Sequence, residues 1–265
     1  MKKFFLTAAT LFAAIIFSQC GAELPSSNSD NVSKKYSFDN FTGLSVANGF
    51  DVELVQSDKF SVETVIPAEY YEYLNVANKK GTLVVGFKKL PVKLSNFNRS
   101  NFKLRVSMPA VSSVILSGAS ILNAKGEFCL MMGEFHIECS GASRIETLNI
   151  KGPRAVIESS GASNINLDAN VSDIEGEVSG ASKLKMKGAA DEVKVDISGA
   201  SGYDGADMQA KCVDIDASGA SKAVVYVLEK LKVELSGASS CHYSCPGEIA
   251  MDIRSISGAS SLKKK

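Results

Sequence analysis

The sequence has few of the residues that usually carry catalysis, and it has no excess charge. Its only histidines are His136 and His242, and His136 has no counterpart repeated along the chain, which leaves little material for acid–base chemistry. The 29 basic residues equal the 29 acidic ones, so no net positive field favours nucleic acid. At 45% hydrophobic residues the chain is too apolar for disorder. We therefore expect a folded protein without catalytic residues and without a nucleic-acid partner.

Long hydrophobic runs are also missing beyond the N-terminus. The run from Phe4 to Phe17 follows Lys2 and Lys3 and carries no charge. It is too short for a membrane span and matches the hydrophobic region of a signal peptide, so residues 1–22 are expected to be an export signal. No second run of spanning length follows. The polar, turn-rich residues 23–34 are expected to form a flexible tether.

The end of the signal leaves two routes of anchoring open. Residues 17–21 resemble a bacterial lipoprotein signal, in which Cys20 is lipidated and becomes the mature N-terminus, although Gln19 stands where a small residue is usual. Ordinary cleavage after Ala22 is the alternative. Either route predicts an exported protein, held by its lipid at the outer membrane or cell surface, or located in the periplasm.

The cysteines do not follow a scaffold pattern. Outside the signal there are five, an odd number at irregular spacings: Cys129, Cys139, Cys212, Cys241 and Cys245. The local disulfide that the spacing allows joins Cys241 to Cys245, with free thiols in a loop as the alternative. The Cys-His-x-x-Cys order around His242 has no fourth ligand nearby, so no metal site is predicted.

A short repeat dominates the second half of the chain. The tetrapeptide Ser-Gly-Ala-Ser occurs eight times at intervals of 18 to 23 residues, starting at Ser117, Ser140, Ser160, Ser179, Ser198, Ser218, Ser236 and Ser257. Such a period is typical of a solenoid. Before each copy, apolar residues alternate with polar ones, as Val193, Val195 and Ile197 do, and this period of two indicates a strand with one buried face.

The alternation resumes after each tetrapeptide, so each repeat holds two short strands. Equivalent strands of successive repeats must then pair in parallel, about 4.8 Å apart. The predicted fold is all-β, a single-chain parallel β-helix with about 20 residues per coil, and the expected hand is right. In the eighth copy Met251 and Ile253 sit one residue out of phase, which indicates a bulge.

The tetrapeptide itself is interpreted as a corner of the coil. Glycine permits unusual backbone angles there, and the alanine is expected to fit a narrow interior. The serine hydroxyls are expected to satisfy backbone groups of the corner. Eight equivalent serines have no positioned base, so we do not interpret them as nucleophiles.

Residues 35–110 are strand-rich but lack the tetrapeptide. We expect them to form a β-rich N-terminal part that covers the first coil, since an open end would expose unpaired backbone groups. The β-helix itself is expected to occupy residues 111–265.

Three segments and the repeat together carry a family resemblance. Phe41 to Leu54, Gly81 to Val85, Phe102 to Ala110 and the Ser-Gly-Ala-Ser array resemble the autotransporter-adhesin head GIN domain proteins of Bacteroides-like bacteria, over about residues 38 to 260. The resemblance implies a β-helix similar in shape to pectin lyases, without their catalytic residues, and a role in adhesion.

An acidic position recurs two residues before the tetrapeptide. It is occupied by Glu138, Glu158, Glu177, Asp196, Asp216 and Glu234. Because these residues alternate with buried ones, they should project outward and form a column at roughly 4.8 Å spacing. Such a column should attract cations, Ca²⁺ included, or raise some carboxylate pKa values. The alternative is a solvated face screened by salt and by lysines such as Lys194 and Lys232.

Positive charge is concentrated elsewhere. From Tyr73 to Gly126 there is no acidic residue, and Lys88, Lys89, Lys93, Arg99 and Lys103 are the candidate contacts with an anionic surface. Lysines that only keep an edge soluble are the alternative. The favoured function is a non-enzymatic adhesion or binding protein of the cell envelope, which presents its β-helix to a polysaccharide, lipid or protein ligand. A polysaccharide lyase-like enzyme and a structural spacer are the alternatives.

Overall fold

A computed structural model describes residues 31–89 and 102–265. The strands are β1 Asn31–Tyr36, β2 Gly43–Val46, β3 Asp51–Gln56, β4 Ser61–Pro67, β5 Leu74–Lys79, β6 Thr82–Phe87, β7 Lys103–Met108, β8 Ser113–Leu116, β9 Ile121–Cys129, β10 Phe135–Cys139, β11 Arg144–Ser159, β12 Asn164–Val178, β13 Lys183–Ile197, β14 Gly202–Ala217, β15 Lys222–Leu235, β16 Ser240–Ser244, β17 Ala250–Ile256 and β18 Ser261–Lys264. One 3-10 turn, Ala68–Tyr70, joins β4 to β5. Residues 1–22 with Cys20, and Lys93 and Arg99, lie outside the described residues. Within the described ranges no helix is long and apolar enough to span a membrane.

The predicted parallel β-helix is confirmed. Strands β8 and β10 to β18 stack in parallel, each coil pairing with the next. Each of the long strands β11 to β15 begins after one tetrapeptide and ends before the next. One strand therefore supplies both straight parts of a coil, and the tetrapeptide closes it.

The core is a set of stacked inward rows. Ile157, Val195 and Ile215 occupy equivalent register positions on β11, β13 and β14, and each is at most 2% exposed. Burying a side chain of this size contributes roughly 1.5–3 kcal/mol. The hydrophobic effect thus acts through the same few positions in every coil.

The corner differs from the expectation in one respect. Gly180 and Ala181 are exposed, whereas Ser182 is fully buried, and the same division holds from the second corner to the seventh. The alanine is therefore outside, and its predicted place in the interior is wrong. The reason is the left-handed glycine, Gly180 at φ +77°, which turns the chain so that the inward phase restarts at the fourth residue.

The regular stack begins before the repeat does. Strand β2 lies between β6 and β8, and β3 lies between β7 and β9, all in parallel. Strands β2 and β3, and strands β6 and β7, thus contribute two coils, whereas the expected division placed the β-helix at residues 111–265. The alternation in these strands is the same as in the repeat, but their corners use other residues, such as Asn48 and Gly49 with positive φ.

The expected N-terminal cap is made of three antiparallel strands. β4 pairs with β7, β1 pairs with β4, and β5 pairs with β6. Residues 31–34 of the predicted tether belong to β1, because this segment completes the edge of β4. Phe50, Tyr70, Phe87 and Phe102 pack together under the cap, with ring centroids 5.0–5.9 Å apart.

The predicted bulge in the last coil is confirmed. The register of β17 on β15 shifts after Ile253, so that Ser255 rather than Arg254 stands beside Glu234. Arg254 is the extra residue. Met251, Ile253 and Ile256 of this coil are 39%, 53% and 41% exposed.

The predicted Cys241–Cys245 disulfide is absent, and the five cysteines of the described ranges are free. Cys241 points into the core, where burial raises the pKa of its thiol to about 12. Cys245 lies four residues further on, just beyond the end of extended strand β16, which places the two about 13 Å apart by strand geometry. A disulfide requires Cα atoms within about 7 Å.

Candidate functional site

The six acidic residues form a ladder along one face of the stack. Glu138 pairs in register with Glu158, and the sequence continues through Glu177, Asp196, Asp216 and Glu234. All six are exposed or half-buried. At strand spacing the six carboxylates extend over about 24 Å. The predicted alignment is found, and we call this row the acidic ladder.

The charge of the acidic ladder is largely unpaired. Within the part of the chain that the structure describes, Asp196 is its one member in an ion pair, with its carboxylate 3.6 Å from Lys194 Nζ. The Ser255 hydroxyl also donates to Glu234 Oε1 at 3.3 Å. Neighbouring like charges at this spacing repel by about 1 kcal/mol even in water. Burial, together with the nearby Glu234 and Asp196, raises the pKa of Asp216, against the opposing charge of Arg254.

The next row on the same face is neutralised internally. Its members in β12 to β15 alternate in sign: Glu175, Lys194, Asp214 and Lys232. Lys194 Nζ lies 3.7 Å from the Glu175 carboxylate. Asp214 Oδ2 lies 3.9 Å from Lys232 Nζ and 2.6 Å from Arg254 Nη2. Lysines therefore neutralise the carboxylates of this row more completely than they neutralise those of the acidic ladder.

The basic residues do not assemble as their sequence suggests. Arg105 lies 3.2 Å from Glu63 and 3.7 Å from Glu53, and Lys125 Nζ lies 2.5 Å from Glu53. Strands β3 and β4 therefore bring carboxylates to a segment that has none of its own. Lys103 stands in register with Asp51, whereas Lys88 and Lys89 are exposed after β6. The two remaining candidates, Lys93 and Arg99, lie in the part of the chain not described.

The described residues contain no cluster of three or more His, Cys, Asp or Glu arranged for a metal ion. Ca²⁺ takes six to eight oxygen ligands, whereas a single row offers one carboxylate on either side of an ion. Calcium binding to the acidic ladder therefore stays a prediction, and water would have to complete the coordination.

Sequence reasoning missed an apolar groove along the middle of the long strands β11 to β14. It has a volume of about 710 Å³, and its lining includes Leu130, Pro153, Val171 and Leu228. Met131 borders it and is 92% exposed, and the adjacent Met132 is 86% exposed. Two adjacent methionines in the turn between β9 and β10, outside the alternating pattern, were the available signal.

Comparisons with known proteins agree with this architecture. A family model described as "Putative auto-transporter adhesin, head GIN domain" matches residues 40–247. No curated protein matches the sequence. Solved structures with the same fold include an adhesin so titled from Parabacteroides distasonis, at 20% identity and TM-score 0.78, covering 90% of this chain and 98% of that one.

Two further structures are similar in the same way. One, titled as a lipid binding protein, is also from Parabacteroides distasonis and has 17% identity and a TM-score of 0.79, covering 90% of this chain and 98% of its own. Another, titled as an adhesin, is from Bacteroides fragilis and has 16% identity and a TM-score of 0.65, covering 92% and 100%. At these identities the likeness concerns the fold. On the match over residues 40–247, this chain belongs to the auto-transporter adhesin head GIN domain family.

Proposed function

We propose that this chain is a non-enzymatic adhesion module of the cell envelope, and that its acidic ladder binds a cationic surface of a protein or polysaccharide. The observation that carries the proposal is the row of six aligned carboxylates with one ion pair among its described contacts. The strands fix the spacing of the carboxylates before binding, so the backbone loses little conformational entropy on association. Membership of an adhesin family supports the same function.

The lyase-like alternative has less support. Such an enzyme needs a basic residue that converges with carboxylates on one substrate. Arg144, Lys183 and Lys222 stand after the tetrapeptide, in one outward row with Asn164 and Gly202, whereas the acidic ladder stands before it. The corner separates the two rows along every coil.

The test neutralises the centre of the ladder. In a triple variant, Glu158→Gln, Glu177→Gln and Asp196→Asn, we expect at least tenfold weaker binding of the exported protein to bacterial envelopes and to polylysine surfaces at low salt. Binding of the unchanged protein should fall as salt rises, because exposed charges are screened.

The matched control removes three carboxylates outside the ladder: Glu127→Gln, Asp173→Asn and Glu192→Gln. This variant has the same net charge as the first one. Equal loss in both variants would reduce the effect to net charge and contradict a specific ladder. Absence of binding by the unchanged protein would favour the spacer.

A second candidate function is lipid binding through the apolar groove. Its support is the exposed pair Met131 and Met132 beside the groove, and the similar solved structure titled as a lipid binding protein. Replacing both methionines with serine should then lower binding to fatty-acid or phospholipid vesicles and leave polylysine binding unchanged. Vesicle binding equal to that of the unchanged protein would exclude this candidate.

A further inference from the structure

The first Ser-Gly-Ala-Ser corner differs from all later ones. Ala119 has φ +78°, while no alanine of a later copy has a positive φ. Ala119 is also 8% exposed, whereas the alanines of the later corners are exposed. A left-handed conformation is unfavourable for any residue with a Cβ atom, and such strain is often found at functional sites.

This corner follows the pattern of the coil before it. There, Asn48 and Gly49 both have positive φ, at 72° and 81°, as Gly118 and Ala119 have here. The two corners are joined directly, because the Ser120 hydroxyl accepts a hydrogen bond from Gly49 N at 3.2 Å. The corner geometry thus changes between Ala119 and Ala142.

A groove of about 850 Å³ lies at this change. Its lining includes three register partners on adjacent strands, Asp51 of β3, Ile121 of β9 and Arg144 of β11. An apolar side chain is therefore flanked by an acceptor on one side and a donor on the other, each about 4.8 Å away by strand spacing. Ala119 and Ala142 also line the groove.

A bulge brings further polar groups to the groove. The register of β11 on β9 shifts around Thr147, whose hydroxyl donates to Ala124 O at 3.0 Å. Arg144 Nη1 donates to Glu146 Oε1 at 3.0 Å, and the two side chains are 51% and 36% exposed. Asn123 stands in register with Thr147 and also lines the groove. Bulges commonly re-aim side chains in this way beside binding sites.

The later coils do not repeat the arrangement. In the row that contains Arg144, the next strands carry Asn164, Lys183, Gly202 and Lys222. Beyond Arg144, this row places no apolar residue between a carboxylate and a guanidinium. The groove is thus specific to the junction of β3, β9 and β11.

We propose that this groove binds a neutral oligosaccharide. Two carboxylates, Asp51 and Glu146, accept hydrogen bonds from neighbouring sugar hydroxyls, and Arg144 and Asn123 donate to ring and hydroxyl oxygens. Half-buried Ile121 and exposed Ala142 offer an apolar surface to the C–H face of a sugar ring. The charged groups that line the groove sum to −1, which disfavours an anionic ligand, and the volume lies in the ordinary range for small-ligand sites.

The test blocks the groove without removing a buried group. The full chain is titrated by calorimetry with neutral gluco-, galacto- and manno-oligosaccharides of two to six residues. We expect at least one of them to bind. Ala142→Phe should fill the groove and abolish the binding, and Ala181→Phe, the same change at an equivalent exposed corner two coils away, should bind as the unchanged protein does.

Two polar variants check the named contacts. Asp51→Ala and Arg144→Gln should each weaken binding at least tenfold, and Lys183→Gln, in the same row as Arg144, should change it less than twofold. The triple ladder variant should bind the sugar normally, so this site and the acidic ladder succeed or fail separately. No binding by any oligosaccharide at millimolar concentration, or unchanged binding by Ala142→Phe, would overturn the proposal.

Discussion

Single backbone angles decide how closely the coils can stack. At each corner from the third onward the alanine N–H donates to the glycine carbonyl of the coil before it, as Ala181 N does to Gly161 O at 2.8 Å. A Cβ atom on Gly180 would lie 2.5 Å from that same oxygen. The glycine is therefore required twice, for its φ of +77° and for the close approach of two backbones.

Gly180→Ala should consequently destabilise the fold by about 2 kcal/mol or more, because left-handed strain alone costs 1–2 kcal/mol and the clash adds to it. Urea unfolding followed by circular dichroism measures the change. Gly247→Ala is the control, since no atom lies within 4 Å of its Cβ position. Similar unfolding midpoints for both variants would contradict this account of the corner.

Asp216 shows how the acidic ladder affects stability. Burial and its acidic neighbours raise its pKa above the ordinary 3.8, so the folded state binds a proton more readily than the unfolded state. Its contribution to stability is then fully present below about pH 3.8 and is lost as the pH rises through the raised value.

Asp216→Asn should therefore raise the unfolding free energy at pH 7, and the gain over the unchanged protein should vanish as the pH falls below 3.8. Thermal unfolding across this range gives the comparison. Asp58→Asn, exposed in the turn after β3, is the control. A gain that persists at low pH would show that lost charge repulsion is not its cause.

Within strand β17, the one extra residue of the bulge places a positive charge beside a nearly buried carboxylate. The bulge in β17 puts Arg254 2.6 Å from Asp214, a carboxylate whose side chain is only 12% exposed, while Lys232 lies 3.9 Å away. Hydrogen bonds to charged groups contribute roughly 1.5–3 kcal/mol.

Arg254→Ala should lower the unfolding free energy by about 1–2 kcal/mol, since Arg254 is partly exposed and Lys232 compensates in part. A double-mutant cycle with Asp214→Asn isolates the pair. If the two changes are additive, the guanidinium does not stabilise Asp214, and the bulge requires another explanation.

At the scale of elements, the sequence was sufficient wherever the repeat was regular. Alternation and spacing predicted the parallel coils, the bulge and the register of the acidic ladder, because stacked copies must align. The insertion of β2 between β6 and β8, and of β3 between β7 and β9, was not predictable, since chain order does not reveal which neighbour a strand pairs with. The groove at Ala119 was missed for a related reason: the first tetrapeptide is identical to the others, and its different backbone angles come from the coil beneath it.

The two ends of the stack that the structure describes differ in how their strands are paired. Antiparallel strands β1, β4 and β5 cover the N-terminal coils. In the described residues β17 and β18 each pair with one neighbour only, and Met251, Ile253 and Ile256 stay partly exposed there. An unpaired strand edge beside apolar side chains is a template for pairing with another chain.

The protein should accordingly self-associate through this end at high concentration. Met251→Lys with Ile253→Lys should shift the mass in sedimentation equilibrium toward the monomer, because each lysine would have to be desolvated in the contact. Val32→Lys, at an exposed apolar residue of the opposite end, should leave association unchanged. If the double variant associates as strongly as the unchanged protein, the contact between molecules lies elsewhere. The lateral faces with the acidic ladder then become the surface to test. Association through oppositely charged rows on those faces would weaken as the salt concentration rises, because exposed charges are screened.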